Sequence, residues 1–261
     1  MSEMISLPGR GLPVQVQRQG QGQGPTLVYL HGAFGLEWSS PLLAALAREH
    51  SVVAPHLPGY GASEGLERIN AFYDLSVWLD EVLDALNLSD VVLVGHDFGG
   101  AAAAEYAALF RRRVSRLALL APYGIWPKGD PLPDIFGLTP GSLTKLLYAD
   151  PMGAAAGDFN AQSPDKDLRD AAILRRRQSL IAAAKLMWPI PDKGLRHRLY
   201  RITAPTLLLA GRADQLMDAA YIQAFAEQIA GARVLTLEAG HMMPQEVPEQ
   251  ACAAITDWLR P

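Results

Sequence analysis

The residue of most chemical consequence in this chain is Asp97. It stands in Gly95-His96-Asp97-Phe98-Gly99-Gly100, directly after the apolar run Val91-Val92-Leu93-Val94. A strand that turns at once into a helix, with glycines at the points of closest approach, presents its middle side chain at the tip of a sharp elbow. A serine at such a tip is protonated at neutral pH and needs a base before it attacks. An aspartate, with an ordinary pKa of about 3.9, is already an anion. A carboxylate nucleophile suits displacement at an alkyl carbon, which leaves a covalent ester on the enzyme. A histidine freed from activating the nucleophile can then activate water to cleave that ester.

Two partners follow later in the chain. The run Thr206-Leu207-Leu208-Leu209-Ala210-Gly211 leads to Asp214, and Arg233-Val234-Leu235-Thr236-Leu237 leads to His241. Nucleophile, acid and histidine thus occur in the order Asp97, Asp214, His241, each just beyond a predicted strand. A buried Asp214 would hold His241 in the tautomer that accepts a proton from water and would stabilise the imidazolium formed. Ahead of them, His31-Gly32-Ala33-Phe34-Gly35 follows the run Thr26-Leu27-Val28-Tyr29-Leu30. Its backbone offers an N–H toward the reaction centre, so the amides of Ala33 and Phe98, with Phe34 as the neighbouring choice, are expected to form an oxyanion hole. His31 itself reads as a structural histidine. This chemistry calls for no cofactor and no metal; its expected partners are a small-molecule substrate and water.

The elements that must position these residues are visible as apolar runs bounded by turn residues. Strands are expected near 12–18, 26–30, 51–54, 91–95, 116–121, 205–210 and 233–237, with a short one near 3–6. Between them, Phe72, Leu75, Leu79, Val82, Leu83 and Leu86 recur at helical spacing, as do Val247, Ala251, Ala254, Ile255 and Trp258. Alternating strands and helices predict a mostly parallel eight-stranded sheet covered on both faces, with reactive residues at the strands' C-terminal ends. From Pro122 to Ala204 no buried strand is read, while a helical pattern runs from about Leu168 to Met187. The expected organisation is a core of residues 1–121 and 205–261 with a lid inserted at 122–204.

Composition excludes other classes. Of 261 residues, 49% are hydrophobic, enough to bury a full core, and the net charge of -4 without a basic stripe argues against nucleic acid or an anionic membrane as partner. The runs Arg111-Arg112-Arg113 and Arg175-Arg176-Arg177 read as solvated helix faces. A single cysteine, Cys252, staples nothing and reads as core packing. The first residues carry no apolar leader and no stretch approaches the roughly 20 apolar residues of a membrane span. A cytoplasmic monomer or homodimer is expected.

The elbow, the His-Gly turn, the Pro58-Gly59-Tyr60-Gly61 turn and the closing Asp214 and His241 together resemble the α/β-hydrolase superfamily over essentially the whole chain. Within it, aspartate at the elbow is typical of epoxide hydrolases and haloalkane dehalogenases, and Gly-His-Asp-Phe-Gly-Gly is similar to the epoxide hydrolase form. That resemblance implies lid tyrosines that protonate the opening ring, for which Tyr148 is the first candidate and Tyr123 the second. Haloalkane dehalogenases usually place tryptophan after the nucleophile and a polar side chain after the His-Gly pair. Here Phe98 and Ala33 stand there, leaving Trp188 or Trp126 as lid donors to a halide. Epoxide hydrolases usually carry proline where this chain has Phe34. The body also resembles serine-type esterases and carbon-carbon bond hydrolases around Pro122 to Pro127 and Gly194 to Gly211, and His56 stands where the superfamily commonly has aspartate. Epoxide opening is the leading reading. Dehalogenation, ester or carbon-carbon bond hydrolysis, and ligand binding without turnover remain beside it.

Overall fold

A single sheet organises the chain. The computed structural model describes all residues except 10, 23, 127–131, 161–164, 189–192 and 261. Strands β1 (Ser2–Ser6), β2 (Pro13–Gln19), β3 (Leu27–Leu30), β4 (Val52–Pro55), β5 (Val91–His96), β6 (Val114–Leu120), β7 (Thr206–Gly211) and β8 (Arg233–Leu237) pair in the order β1-β2-β4-β3-β5-β6-β7-β8. The pairs β1–β2 and β2–β4 are antiparallel, and the remaining pairs are parallel. Strands β3, β4, β5 and β7 are buried at every residue. This is why they read as continuous Val and Leu runs: helices cover both faces, and no face needs polar residues. In β2, by contrast, Val14 and Val16 are buried between less buried neighbours, the alternation of a strand with one wet face.

Helices α1 (Ser40–Leu46), α2 (Phe72–Ala85), α3 (Asp97–Leu109), α4 (Pro140–Leu147), α5 (Ala154–Phe159), α6 (Lys166–Met187), α7 (Ala219–Ala226), α8 (Met243–Glu246) and α9 (Pro248–Leu259) complete the described fold. The stripe read in α2 is its core face, with Phe72, Leu75, Trp78, Leu79, Val82 and Leu83 buried. In α3 only Leu109 is not buried, which its run of alanines and glycines permits. The spacing between α3 and the sheet is set by missing side chains. A Cβ on Gly99 would stand 2.3 Å from the Leu30 carbonyl oxygen, and one on Gly95 would stand 2.5 Å from the Gly99 carbonyl oxygen.

Between β6 and β7 the described residues form α4, α5 and α6 with short 3-10 turns and no strand, matching the break in the strand–helix alternation. The long α6, capped by the Asp165 side chain on the Asp167 and Leu168 amides, is the helix expected from about Leu168. The shorter α4 and α5 carry too few turns for a periodic signal. No helix among the described residues is long and apolar enough to cross a membrane. Both arginine runs depart from expectation. Arg111–Arg113 lies in the turn after α3, where Arg113 bridges Asp80 at 3.2 Å and Asp84 at 2.8 Å. On α6 the middle arginine, Arg176, is buried, because it falls on the same helical stripe as Ser179, Ala182, Ala183, Leu186 and Met187, which faces the core.

The close approach of α3 to the sheet predicts opposite effects for two glycine substitutions. Gly99→Ala should destabilise by about 1–3 kcal/mol or more through overpacking against rigid backbone. Gly141→Ala, at an exposed helical position with nothing within 4 Å of the added carbon, should stabilise by about 0.5–1 kcal/mol. Urea unfolding midpoints decide; a Gly99→Ala midpoint equal to the parent's would mean that α3 can shift.

Candidate active site

The elbow is where β5 meets α3. Asp97 takes a left-handed backbone, φ +50°, one of few non-glycine residues to do so. Such a conformation costs of order 1–3 kcal/mol and persists only where the surroundings impose it. They do so here: β5 ends inside the sheet, α3 begins at once, and the Tyr123 amide donates to the Asp97 carbonyl oxygen at 3.0 Å. The side chain is 1% exposed. Its Oδ2 accepts the Ala33 amide at 2.8 Å, so the turn after β3 holds one carboxylate oxygen as the sequence leads one to expect of an oxyanion donor. Phe98, the other expected donor, is the second residue of α3; its N–H is among the first four of the helix, which have no intrahelical acceptor. The Phe34 ring is buried edge-on against Phe159 at 5.1 Å.

The histidine arrives from the other side of the sheet's carboxyl edge. His241 is fully buried, and its Nδ1 lies 3.0 Å from Asp214 Oδ2. Asp214 cannot swing away, because its Oδ1 accepts the Leu216 and Met217 amides at 2.8 Å each. The loop bearing His241 is fixed at several points. His96 Nε2 donates to the His241 carbonyl oxygen at 2.9 Å, Met242 N–H donates to the Leu147 oxygen at 3.0 Å, and Gly240 N–H donates to Glu246 at 2.9 Å. His241 Nε2 then faces Asp97 Oδ1 across 3.6 Å. That is too long for a hydrogen bond, and both atoms are buried without another partner. The pair interacts through charge, with its facing lone pair and proton left for a reactant.

The electrostatics follow from burial and neighbours. Burial alone would lower the His241 pKa, but the charge and hydrogen bond of Asp214 and the charge of Asp97 overcome it and push the imidazole up to about 10. Burial alone would raise Asp97; the His241 pair and the Ala33 amide more than offset it and hold the carboxylate below its ordinary range. His96 is neutral, lowered to about 4 by burial and by the His241 charge. His31 is neutral too, lowered to about 3 chiefly by burial, with Nδ1 donating to Gly32 O at 2.8 Å and Nε2 accepting the Leu57 amide at 3.0 Å. It is the satisfied structural histidine that the sequence implied.

The lid candidates are placed differently. Tyr148 is buried, and its hydroxyl donates to Gln245 Oε1 at 2.6 Å. Tyr123 is buried next to the elbow through its amide. Trp188 caps α6, is 52% exposed, and meets Phe136 edge-on at 6.1 Å. Glu238 is exposed and paired with Arg212 at 2.5 Å, away from the histidine. Sequence reading missed Tyr60, whose hydroxyl donates to the Ala33 carbonyl oxygen at 3.0 Å while its ring abuts His31 at 4.5 Å. Its turn was legible, but the partner of its hydroxyl lies in another loop and leaves no trace in spacing. His96 was quoted within the elbow, yet its contact with the histidine loop had no local signature.

Residues 25–246 match the family profile described as alpha/beta hydrolase fold. The chain belongs to this family. It is 29% identical over 255 residues to 2-hydroxymuconate semialdehyde hydrolase of Pseudomonas sp. (strain CF600), covering 91% of this chain and 88% of that protein. It is also 29% identical over 264 residues to a haloalkane dehalogenase of Mesorhizobium japonicum, covering 90% of this chain and 84% of that one. The solved enol-lactonase of Burkholderia xenovorans LB400 is alike in fold, with a TM-score of 0.77 at 20% identity over 98% of this chain and 99% of that chain. As an alpha/beta hydrolase, the protein carries its elbow, acid and histidine where this architecture assembles a reactive centre.

The His241 titration measured by NMR on ring-labelled protein should show an imidazolium persisting well above neutrality. Asp214→Asn should lower its pKa by about 1–3 units, the usual effect of losing a close opposite charge, and should cost roughly 10³–10⁴-fold in turnover. Glu238→Gln should leave both within about threefold. A titration unmoved by Asp214→Asn would mean that another carboxylate governs His241.

Proposed function

We propose that this hydrolase opens an epoxide by forming an alkyl ester on Asp97 and then hydrolyses that ester with water activated by His241. The observation that carries the reading is the divided carboxylate: Asp97 Oδ2 is held by the Ala33 amide while Oδ1 faces His241 Nε2 across 3.6 Å. A serine-like role for Asp97 would need its proton removed by His241, whereas their mutual attraction holds Asp97 below the ordinary carboxylate range and His241 above the ordinary imidazole one. The resting pair is therefore an anionic nucleophile beside a proton donor.

That pair balances epoxide hydrolysis. Asp97 attacks a ring carbon, the carbon–oxygen bond breaks, and the departing alkoxide takes the His241 proton. Esterification removes the Asp97 charge that helped keep His241 protonated, so a neutral imidazole now stands beside the ester. It takes a proton from water as the oxygen attacks the ester carbonyl, whose developing oxyanion is met by the Ala33 and Phe98 amides. Collapse expels the diol with the carboxyl proton and restores the Asp97 anion and His241 cation. Asp214 holds the imidazole through both steps. A halide needs no proton and is best held by side-chain N–H donors, which Ala33 and Phe98 lack; half-exposed Trp188 is turned to Phe136. Tyr148 and Tyr123 are the second candidates for the ring proton. Tyr148 would have to leave Gln245 to give it, so His241 is assigned the role first.

With styrene oxide as probe, ester formation in a single turnover should be flat near neutrality. It should fall in acid as Asp97 is protonated below its ordinary range, and fall in alkali as His241 loses its proton near pH 10. Alkylation by a bromoalkane should lack the alkaline fall. Tyr148→Phe should slow ring opening less than about threefold; a loss of tenfold, about 1.4 kcal/mol, would assign the proton to Tyr148 instead. In His241→Gln, ester formation from styrene oxide should be slow, because ring opening has lost its proton donor, whereas a bromoalkane should leave one alkyl group on the Asp97 peptide, because ester hydrolysis has lost its base. Oxygen from labelled water entering the diol directly in the first turnover would exclude the two-step route.

A further inference from the structure

Helix α6 turns the middle of three consecutive arginines inward. Arg176 is 8% exposed, whereas Arg175 and Arg177 face solvent. Its Nη1 donates to the Phe159 carbonyl oxygen at 2.9 Å, and its guanidinium carbon lies 5.2 Å from the Phe159 ring centre. Among the described residues no carboxylate lies within ion-pair distance of it; the ionisable side chains that act on it are Arg177, which repels it, and the Tyr148 phenol. A buried guanidinium is unfavourable unless a counter-charge meets it, and one carbonyl and one ring face supply only partial charge. Its planar fork matches a carboxylate.

Aromatic neighbours link this cation to the turn that holds Asp97. The Phe159 ring packs against Phe34 and Trp38 at 5.1 Å each and against Tyr148 at 5.7 Å. Phe34 directly follows Ala33, whose amide holds Asp97. Trp38 Nε1, a second buried donor in the same aromatic cluster, has no acceptor among the described residues. Trp38, Ser179 and Gln245 also line an open groove of about 1420 Å³ between α6 and the core; the groove borders the cluster at Trp38 and at Arg175 and Ser179, on either side of Arg176, which itself does not line it. Glu37, Asp158 and Arg175 share that groove, so its mouth has no cationic excess and the demand for an anion is local to Arg176.

We infer that Arg176 binds a carboxylate of the substrate, so that the electrophile attacked by Asp97 is carried on a small organic acid. The epoxide half of this description rests on the ring-opening reading above. The carboxylate half rests on Arg176 and its surroundings, and its test involves no turnover.

Calorimetric binding of three acid and amide pairs tests it: butyrate and butyramide, hexanoate and hexanamide, phenylacetate and phenylacetamide. At least one acid should bind the parent about tenfold more tightly than its amide. Arg176→Gln should erase that preference while leaving the amide within about twofold, and Arg177→Gln should retain it. Arg176→Met, which keeps the aliphatic stem, replaces Arg176→Gln if the latter does not fold. A role confined to tying α6 to α5 would weaken acid and amide alike. No preference in any pair, a preference surviving at position 176, or parallel loss of acid and amide overturns the inference. Failure of every epoxide as substrate, with an Arg176-dependent acid preference intact, would remove the ring-opening reading alone. Turnover of neutral styrene oxide with no acid preference would remove this one alone.

Discussion

Two buried carboxylates act on one buried imidazole, and the rest of the molecule is arranged around that fact. Asp214 and Asp97 flank His241 at 3.0 and 3.6 Å, with all three groups almost wholly removed from water. In bulk water such interactions are weak; in a low-dielectric enclosure they are strong enough to hold an imidazolium against its own desolvation. The arrangement survives only if none of the three can relax. Asp214 is pinned by two amides, Asp97 by the Ala33 amide and a strained elbow, and His241 by His96 and the loop behind it. Parallel strands ending at one edge bring these segments together, and helices on both faces keep the strand ends dry.

The fold was legible in the sequence because its signals are local and repeated. Strands such as β5 and β7 are unbroken apolar runs with turn residues at each end, and a strand buried on both faces has no other way to be written. The meeting of Asp97, Asp214 and His241 was legible for a related reason: each follows such a run within a few positions, so topology alone converges them. Ala33 was legible as a donor because its turn follows β3, which pairs with β5.

What escaped was everything decided by side-chain direction across loops. Tyr148 has the right identity and sits on a segment that packs against the histidine loop, but its hydroxyl turns to Gln245. Tyr60 sits in a turn read as only a turn, yet it holds the carbonyl of the residue whose amide holds Asp97. Arg176 was lost inside a charge run whose average reading, solvation, is right for its neighbours and wrong for it. In each case the residue type was plain and its partner lay far along the chain, where no periodicity reports it.

The left-handed backbone at Asp97 also bears on descent. That region admits aspartate and asparagine readily, admits unbranched residues such as serine at some cost, and penalises β-branched side chains heavily. Threonine is therefore a poor tenant of this elbow whatever its hydroxyl offers. Chemistry at the tip can change by exchange among unbranched residues while the sheet, the glycines and the histidine loop stay as they are. In descent, exchange at this one position can thus alter the charge at the tip while the fold that carries it stays unchanged.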